Sequence, residues 1–296
     1  MKSLLKRLRE GQTLVADGAI GTMLFDYGLK PGEPPESFNL EHLEVLIEIA
    51  RLYLDAGAEI IQTNTFGASP LRLSSYSLED KTEEVNKSAV LAVREVVGNR
   101  AYVSASCGPS GKLLKPYGDT EPEETYNSFV RQMKALISAG VDAICIETMT
   151  DLSEATLAIK ATKAVSPSTP VMATMTFDAT PKGFYTVMGT SIQEAVQGLK
   201  QAGADIIGSN CGNGIENMTK IAKEFKKYSN LPITIRSNAG IPEIQGERPA
   251  WPETPEFMAE KAKELVQAGV SIIGGCCGTT PEHIRAIRNM VDLRHR

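Results

Sequence analysis

Basic charge, histidine and long apolar runs are all in short supply in this chain. Lys and Arg number 31 against 36 Asp and Glu, for a net charge of −5. No basic stripe or patch of interleaved aromatics is present, which excludes the usual footprint of a nucleic-acid binder. No apolar stretch approaches the roughly 20 residues that cross a bilayer. The basic, amphipathic start, Lys2-Ser3-Leu4-Leu5-Lys6-Arg7-Leu8-Arg9-Glu10, lacks the apolar core and cleavage site of a leader; it reads as a surface helix capping the fold. Histidine occurs three times, and His42, His283 and His295 read as solvated helix or tail positions. Five cysteines, an odd number at irregular spacing, argue against a disulfide framework. The expectation is a soluble, cytoplasmic chain with neither nucleic acid nor membrane among its partners, built as one domain over residues 1–296.

What is present is a concentration of thiols. Cys276 and Cys277 adjoin in Ile272-Ile273-Gly274-Gly275-Cys276-Cys277-Gly278-Thr279-Thr280-Pro281, and Cys211 lies 65 residues before Cys276 in Gly208-Ser209-Asn210-Cys211-Gly212. Adjacent cysteines hardly form a relaxed disulfide with each other, but as thiolates both reach one soft metal ion. A third thiolate would leave a tetrahedral zinc with one open position, as catalytic zinc sites have. The plain alternative, a cysteine as a small buried hydrophobe, suits Cys107 and Cys145, which sit inside apolar runs. It suits Cys276 and Cys277 less, because the flanking glycines permit close approach and positive φ that a packing cysteine does not need. A vicinal-thiol redox site is the other chemistry these two residues allow.

Eight β-like runs follow one another: Thr13–Asp17, Glu59–Asn64, Tyr102–Cys107, Asp142–Glu147, Val171–Phe177, Asp205–Asn210, Ile233–Asn238 and Ser271–Cys276. Most are continuously apolar, as parallel strands buried on both faces are. Helical spacing separates them, as in Leu43-Leu46-Ile47-Ala50-Leu54 and Phe257-Ala259-Ala262-Leu265-Val266. Four Ala-Gly turns, at Gly57, Gly140, Gly203 and Gly269, each close a helix and enter a strand. The pattern predicts an α/β fold, a single (β/α)8 TIM barrel with its site at the C-terminal ends of the strands. An open doubly wound sheet fits less well, since no G-x-G-x-x-G follows the first run. Those strand ends read Asp17, Asn64, Ser106, Glu147, Asp178, Cys211, Asn238 and Cys276-Cys277. Polar and metal-capable residues thus gather at one mouth, which favours zinc. A closed structural site would need a fourth Cys or His there, and none is evident.

Asp17-Gly18-Ala19-Ile20-Gly21-Thr22, Thr63-Asn64-Thr65-Phe66, Gly108-Pro109, Glu147-Thr148, Asn210-Cys211, Asn238-Ala239-Gly240 and the Gly274–Pro281 run resemble the homocysteine S-methyltransferase family. That family includes the homocysteine domain of cobalamin-dependent methionine synthase and betaine–homocysteine methyltransferase, and the resemblance runs over nearly the whole chain. It implies a zinc-dependent methyltransferase in which Cys211, Cys276 and Cys277 hold Zn2+. A zinc-bound thiolate, that of homocysteine, then accepts a methyl group to give methionine. It further implies that Asn238 lies at the metal when substrate is absent, and that Asp17 and Glu147 take the amino-acid ammonium. The N–H groups of Ala19 and Ile20 would take the carboxylate, with Asn64, Ser106 and Thr148 completing the substrate site.

Two segments depart from the family pattern: Met188 stands where a small hydroxyl residue is usual, and Trp251 where tyrosine is more frequent. Loop packing explains either; an altered rim for another donor, acceptor or partner is the functional alternative. Asp178 and Asn213 read as turn and cap residues. The chain carries one barrel and no visible cobalamin or folate module, so the donor is not legible. Methylcobalamin on a separate domain or protein, a sulfonium and a betaine all remain open. So does a different role, in which the chain moves methyl groups between a small O-, N- or S-methyl substrate and a separate corrinoid protein.

Overall fold

The computed structural model describes residues 2–245 and 248–293, so Glu247 and His295 lie outside the described residues. Eight parallel strands form one sheet: β1 (Leu14–Val15), β2 (Ile60–Gln62), β3 (Tyr102–Cys107), β4 (Ala143–Met149), β5 (Val171–Met175), β6 (Ile206–Asn210), β7 (Ile233–Ser237) and β8 (Ile272–Gly275). Each pairs with its sequence neighbours, and β8 returns to β1 through Leu14↔Ile272. The ring closes where Ala16 bridges Ile60 and the Asp17 N–H donates to the Ile60 carbonyl at 3.0 Å. This is the (β/α)8 barrel that the pattern predicts, and all eight runs are strands.

Strand periodicity decides what each side chain meets. Ile61, Val103, Ile144, Ile146, Ala173, Ile207, Ile235 and Ile273 point outward into the layer shared with the helices. Their alternates Ile60, Tyr102, Cys145, Met172, Ile206 and Ile272 fill the barrel floor. Leu4 and Leu8, from the helix Leu4–Arg9, cover that floor from below, and the Tyr102 hydroxyl donates to the Lys2 carbonyl at 2.6 Å. The N-terminal segment therefore caps the barrel, as expected. Cys107 belongs to the outer layer and Cys145 to the floor, both buried packing residues.

The four Ala-Gly turns behave as their shared pattern predicts: Gly57, Gly140, Gly203 and Gly269 all have φ between +77° and +104°. Two helical stripes are rotated from expectation. In Leu43–Asp55 the buried face is Leu46, Ile49, Ala50 and Tyr53; in Pro255–Gln267 it is Met258, Ala262 and Leu265. The first is an i, i+3, i+4, i+7 set and the second an i, i+4, i+7 set, and Phe257 instead turns outward beneath the Lys261 ammonium. Among the described residues, no helix is long and apolar enough to cross a membrane.

Three further expectations need correction. His283 is not solvated: it is buried, with Nε2 2.9 Å from the Glu253 carbonyl and Nδ1 accepting the Thr280 N–H at 3.1 Å. Asn213 does not cap the helix Ile215–Tyr228. The N-cap position falls to Gly214, Glu253 accepts the Ile215 N–H, and Asn213 ties the loop to the Phe177 carbonyl. Asp178 opens a β-hairpin, Asp178–Thr180 with Gly183–Tyr185, which rises from the rim after β5. A matching hairpin, Glu243–Gln245 with Arg248–Ala250, rises after β7.

Candidate metal centre

Cys211 follows the last residue of β6 and adopts φ +59°, a left-handed conformation that non-glycine residues rarely take. Its N–H donates to the Arg236 carbonyl at 3.1 Å. The β8 end is tied to β7 in the same way: the Cys276 N–H donates to the Ser237 carbonyl (2.7 Å) and the Ala239 N–H to the Cys277 carbonyl (3.0 Å). The Thr279 hydroxyl closes the turn by donating to the Cys276 carbonyl at 2.7 Å. These backbone ties bring the three sulfurs within 4.8 Å of one another, with Cys211 and Cys277 Sγ 3.9 Å apart. Tetrahedral zinc with bonds of about 2.3 Å would hold its sulfurs about 3.8 Å apart.

The surroundings of the sulfurs fit a metal. Asn238 Oδ1 is buried and has no hydrogen-bond partner among the described residues. An unpartnered buried oxygen beside three thiols is costly unless something electropositive occupies the space between them. The protonation pattern is that of a site sharing negative charge. Hydrogen bonds from Cys276 and Cys277 hold the Cys211 thiol well below its ordinary range, while the contact with Cys211 pushes both Cys276 and Cys277 up. Asn210, fully buried, donates through Nδ2 to Thr148 Oγ1 at 2.7 Å and lies 3.8 Å from Cys276 Sγ.

Beneath the thiols the barrel interior carries charge. Arg236 crosses from β7, with Nη2 2.6 Å from Asp17 Oδ1 and Nε donating to the Gly275 carbonyl at 3.2 Å. Asp17 Oδ2 accepts the Gln62 N–H at 2.7 Å, so both oxygens are engaged in a residue with no exposed surface. Burial pushes the Asp17 carboxyl up to about 6 against the pull of Arg236. Glu147 Oε1 accepts from the Ser106 hydroxyl and from Gln62 Nε2 at 3.2 Å. Its Oε2 stands 4.0 Å from Arg236 Nη1, beyond hydrogen-bond reach. Burial raises the Glu147 carboxyl too.

The other expected residues divide. Thr148 reaches the mouth with φ +59°, its N–H donating to Asn210 Oδ1 at 2.8 Å. The Ala19 N–H, expected to take a carboxylate, already donates to Thr279 Oγ1 at 3.1 Å. Ile20 follows it at the start of the four-residue helix Gly21–Leu24. Asn64 turns its amide away, to the Pro35 carbonyl (2.7 Å) and Asn39 Oδ1 (2.8 Å). Trp251 packs against Gly278, where an added Cβ would lie 2.1 Å from the indole. Its Nε1 is buried without a partner among the described residues. Met188 stays on the half-exposed rim. Sequence reasoning missed Arg236, although a charge inside the run Ile233-Thr234-Ile235-Arg236-Ser237 was the signal.

Together the fold and the site define a (β/α)8 barrel with three cysteine sulfurs gathered at its C-terminal mouth, close enough to hold one metal ion. The chain belongs to the homocysteine S-methyltransferase family, whose model matches residues 14–291. It is 30% identical to methionine synthase of Mycobacterium leprae over 96% of its own length, and 30% identical to that of Mycobacterium tuberculosis over 93%. It spans about a quarter of each of those relatives (24%). The metallated form of the homocysteine methyltransferase MmuM from Escherichia coli superposes with TM-score 0.80 at 22% identity, covering 96% of this chain and 99% of that one. The oxidized form of MmuM gives 0.77 at 23% identity.

Proposed function

We propose that the barrel is a zinc-dependent methyltransferase that methylates the thiol of homocysteine to give methionine. The observation that carries this reading is the convergence of Cys211, Cys276 and Cys277 beside the orphaned Asn238 oxygen, above Glu147, whose Oε2 has Arg236 Nη1 at 4.0 Å. Cys211, Cys276 and Cys277 would hold the metal, and Asn238 lies beside them at the position that an incoming thiol would take. Zinc bound there supplies the charge that keeps a thiol deprotonated at neutral pH, where a free thiol with a pKa of about 8.5 is mostly protonated. Glu147, fixed by Ser106 and Gln62, receives the substrate ammonium through Oε2. The sulfur then attacks the donor's methyl carbon in line. The new S–C bond forms as the donor–C bond breaks, and that bond's electron pair leaves with the donor.

The barrel's contribution is alignment, worth up to about 7–11 kcal/mol in well-oriented systems. The donor comes from outside the barrel. The methionine synthases that this chain matches are about four times its length, which leaves room in them for a donor-carrying domain; the donor here is methylcobalamin on a further domain or separate protein, a sulfonium or a betaine. The zinc-loaded chain, given homocysteine with methylcobalamin, a sulfonium donor or betaine, should form methionine with at least one of them. Titrating homocysteine into it should release protons. No heat, no proton release and no methionine would sink this reading. Methyl transfer from a small methylated substrate to a free corrinoid would establish the demethylating role instead.

A further inference from the structure

Trp251, Pro252 and Glu253 follow the hairpin that rises after β7, and each packs against a glycine from a different loop of the mouth. A Cβ on Gly278, the residue after Cys277, would lie 2.1 Å from the Trp251 ring. One on Gly240, two residues after Asn238, would lie 3.0 Å from the Pro252 ring. One on Gly214, three residues after Cys211, would lie 2.1 Å from Glu253 Oε1. Glu253 adds hydrogen bonds to these contacts. Its Oε2 accepts the Ile215 N–H at 3.1 Å, at the start of the helix that follows Cys211, where Gly214 has no side chain to cap with. Its N–H donates to the Ala239 carbonyl at 2.9 Å, and the Ala239 N–H holds the Cys277 carbonyl. Its own carbonyl accepts from His283 Nε2 at 2.9 Å, while His283 Nδ1 accepts the Thr280 N–H just past the same cysteines.

We infer that residues 251–253 form a strap that sets the spacing between Cys211 and the Cys276-Cys277 turn, with Glu253 as its positioning residue. This deepens the proposed function and rests on it for the identity of the metal. The thiols come from two arms, Cys211 after β6 and the adjacent pair after β8, with β7 between them. All three lie just past the last residue of their strands, where the ladder no longer fixes them. The carbonyls of Arg236 and Ser237 tie the two arms to β7 on the side facing the barrel. The strap closes the other side. Glu253 is bonded to both arms, to the helix after Cys211 through its carboxylate and to the β8 turn through its backbone and His283. A tetrahedral ion needs its sulfurs at a fixed separation, so what holds the 3.9 Å between Cys211 and Cys277 Sγ sets affinity.

The test pairs zinc affinity, read by chelator competition, with cross-linking of Cys211 to Cys277 in the zinc-free protein by a short bifunctional thiol alkylator, read by peptide mass spectrometry. Glu253→Ala should weaken zinc by roughly tenfold, as loss of a ligand-orienting contact does, and lower the yield of the cross-link. Glu253→Gln keeps an oxygen for the Ile215 N–H and should restore most of both. Gly214, at φ −74° and ψ 174°, has a backbone open to alanine, so Gly214→Ala acts only by displacing Glu253 and should reproduce both losses. Added to Glu253→Ala, which leaves nothing to displace, it should cost no more than Glu253→Ala alone. Homocysteine and 4-mercaptobutanoate, which lacks only the amine, should lose affinity by the same factor within about twofold, because the strap acts through the metal. Wild-type zinc affinity and cross-linking in Glu253→Ala would overturn the inference. So would a Gln variant as impaired as Ala, or a double variant whose losses add. A wild-type chain that takes up no zinc would refute the metal reading instead, and the cross-linking arm alone would then decide whether the strap sets the spacing.

Discussion

The Asn210 side chain couples the Cys276 thiol to a strained backbone: its Nδ2 lies 3.8 Å from Cys276 Sγ, while its Oδ1 accepts the N–H of Thr148, whose φ is +59°. The same oxygen accepts from the Thr174 hydroxyl at 2.6 Å, so the ends of β4, β5 and β6 meet at one buried amide. Substituting Asn210 with Asp removes the Nδ2 donor and sets a carboxylate beside a thiolate, while keeping an acceptor for Thr148 and Thr174. Contacts of this kind are worth about 10–100-fold in metal affinity. Asn210→Asp should weaken zinc by an amount in that range, read by chelator competition; unchanged affinity would remove Asn210 from the support of Cys276.

The five thiols should separate into two groups. Burial pushes Cys107 and Cys145 well above their ordinary range, whereas Cys211 is held as a thiolate. The thiolate is the reactive form. In the folded, zinc-free protein at pH 8, an alkylating reagent should therefore modify only residues among Cys211, Cys276 and Cys277. Zinc should protect those three, and denaturant should expose all five. Modification of Cys107 or Cys145 in the folded protein would contradict their burial.

Replacing any one of Cys211, Cys276 or Cys277 with Ala should abolish both zinc binding and methyl transfer and leave the barrel folded. The floor of Leu14, Ile60, Met172, Ile206 and Ile272 and the outer helical layer do not include the thiols. Circular dichroism should retain the wild-type spectrum. A variant that keeps full zinc and turnover would show that its cysteine is no ligand.

The frame of this molecule was legible because its signals are local. Continuous apolar runs marked all eight strands, and the Ala-Gly turns marked helix ends that require positive φ. The thiols were legible because two adjacent cysteines among glycines are hard to explain as packing. What escaped depends on distant pairing. Nothing local to Asp17 announces that Arg236, 219 residues later, will occupy it. Nor does the sequence near Ala19 show that Thr279 accepts its N–H. The burial of His283 likewise depends on the Glu253 carbonyl arriving from another loop. The rotated stripes in Leu43–Asp55 and Pro255–Gln267 arise because helix period alone leaves the facing direction to be set by the sheet.

Gly278 ties the family signature to this chain's own tryptophan. It has φ +78°, and a Cβ there would meet the Trp251 ring at 2.1 Å. Gly278→Ala combines a left-handed backbone strain of about 1–3 kcal/mol with displacement of the indole next to Cys277. The variant should melt at lower temperature and bind zinc more weakly, whereas Trp251→Ala should spare melting more than it spares the site. Wild-type melting in Gly278→Ala would show that the rim yields freely and that the indole does not define the turn.

Glu147 gives the site a pH dependence with a definite sign. Burial raises its carboxyl above the ordinary range, so the proton returns at a higher pH than for a solvated glutamate. A protonated Glu147 has no charge to offer an ammonium. As pH falls toward the carboxylate range, homocysteine binding should therefore weaken before that of 4-mercaptobutanoate, and the ratio of the two should decline. Thiol deprotonation and protonation of the three cysteines affect both ligands alike and cancel in the ratio, which reports on the amine contact. In Glu147→Gln the ratio should be low and flat across the same range. A wild-type ratio that does not change with pH, or one that rises on acidification, would place the amine elsewhere than on Glu147.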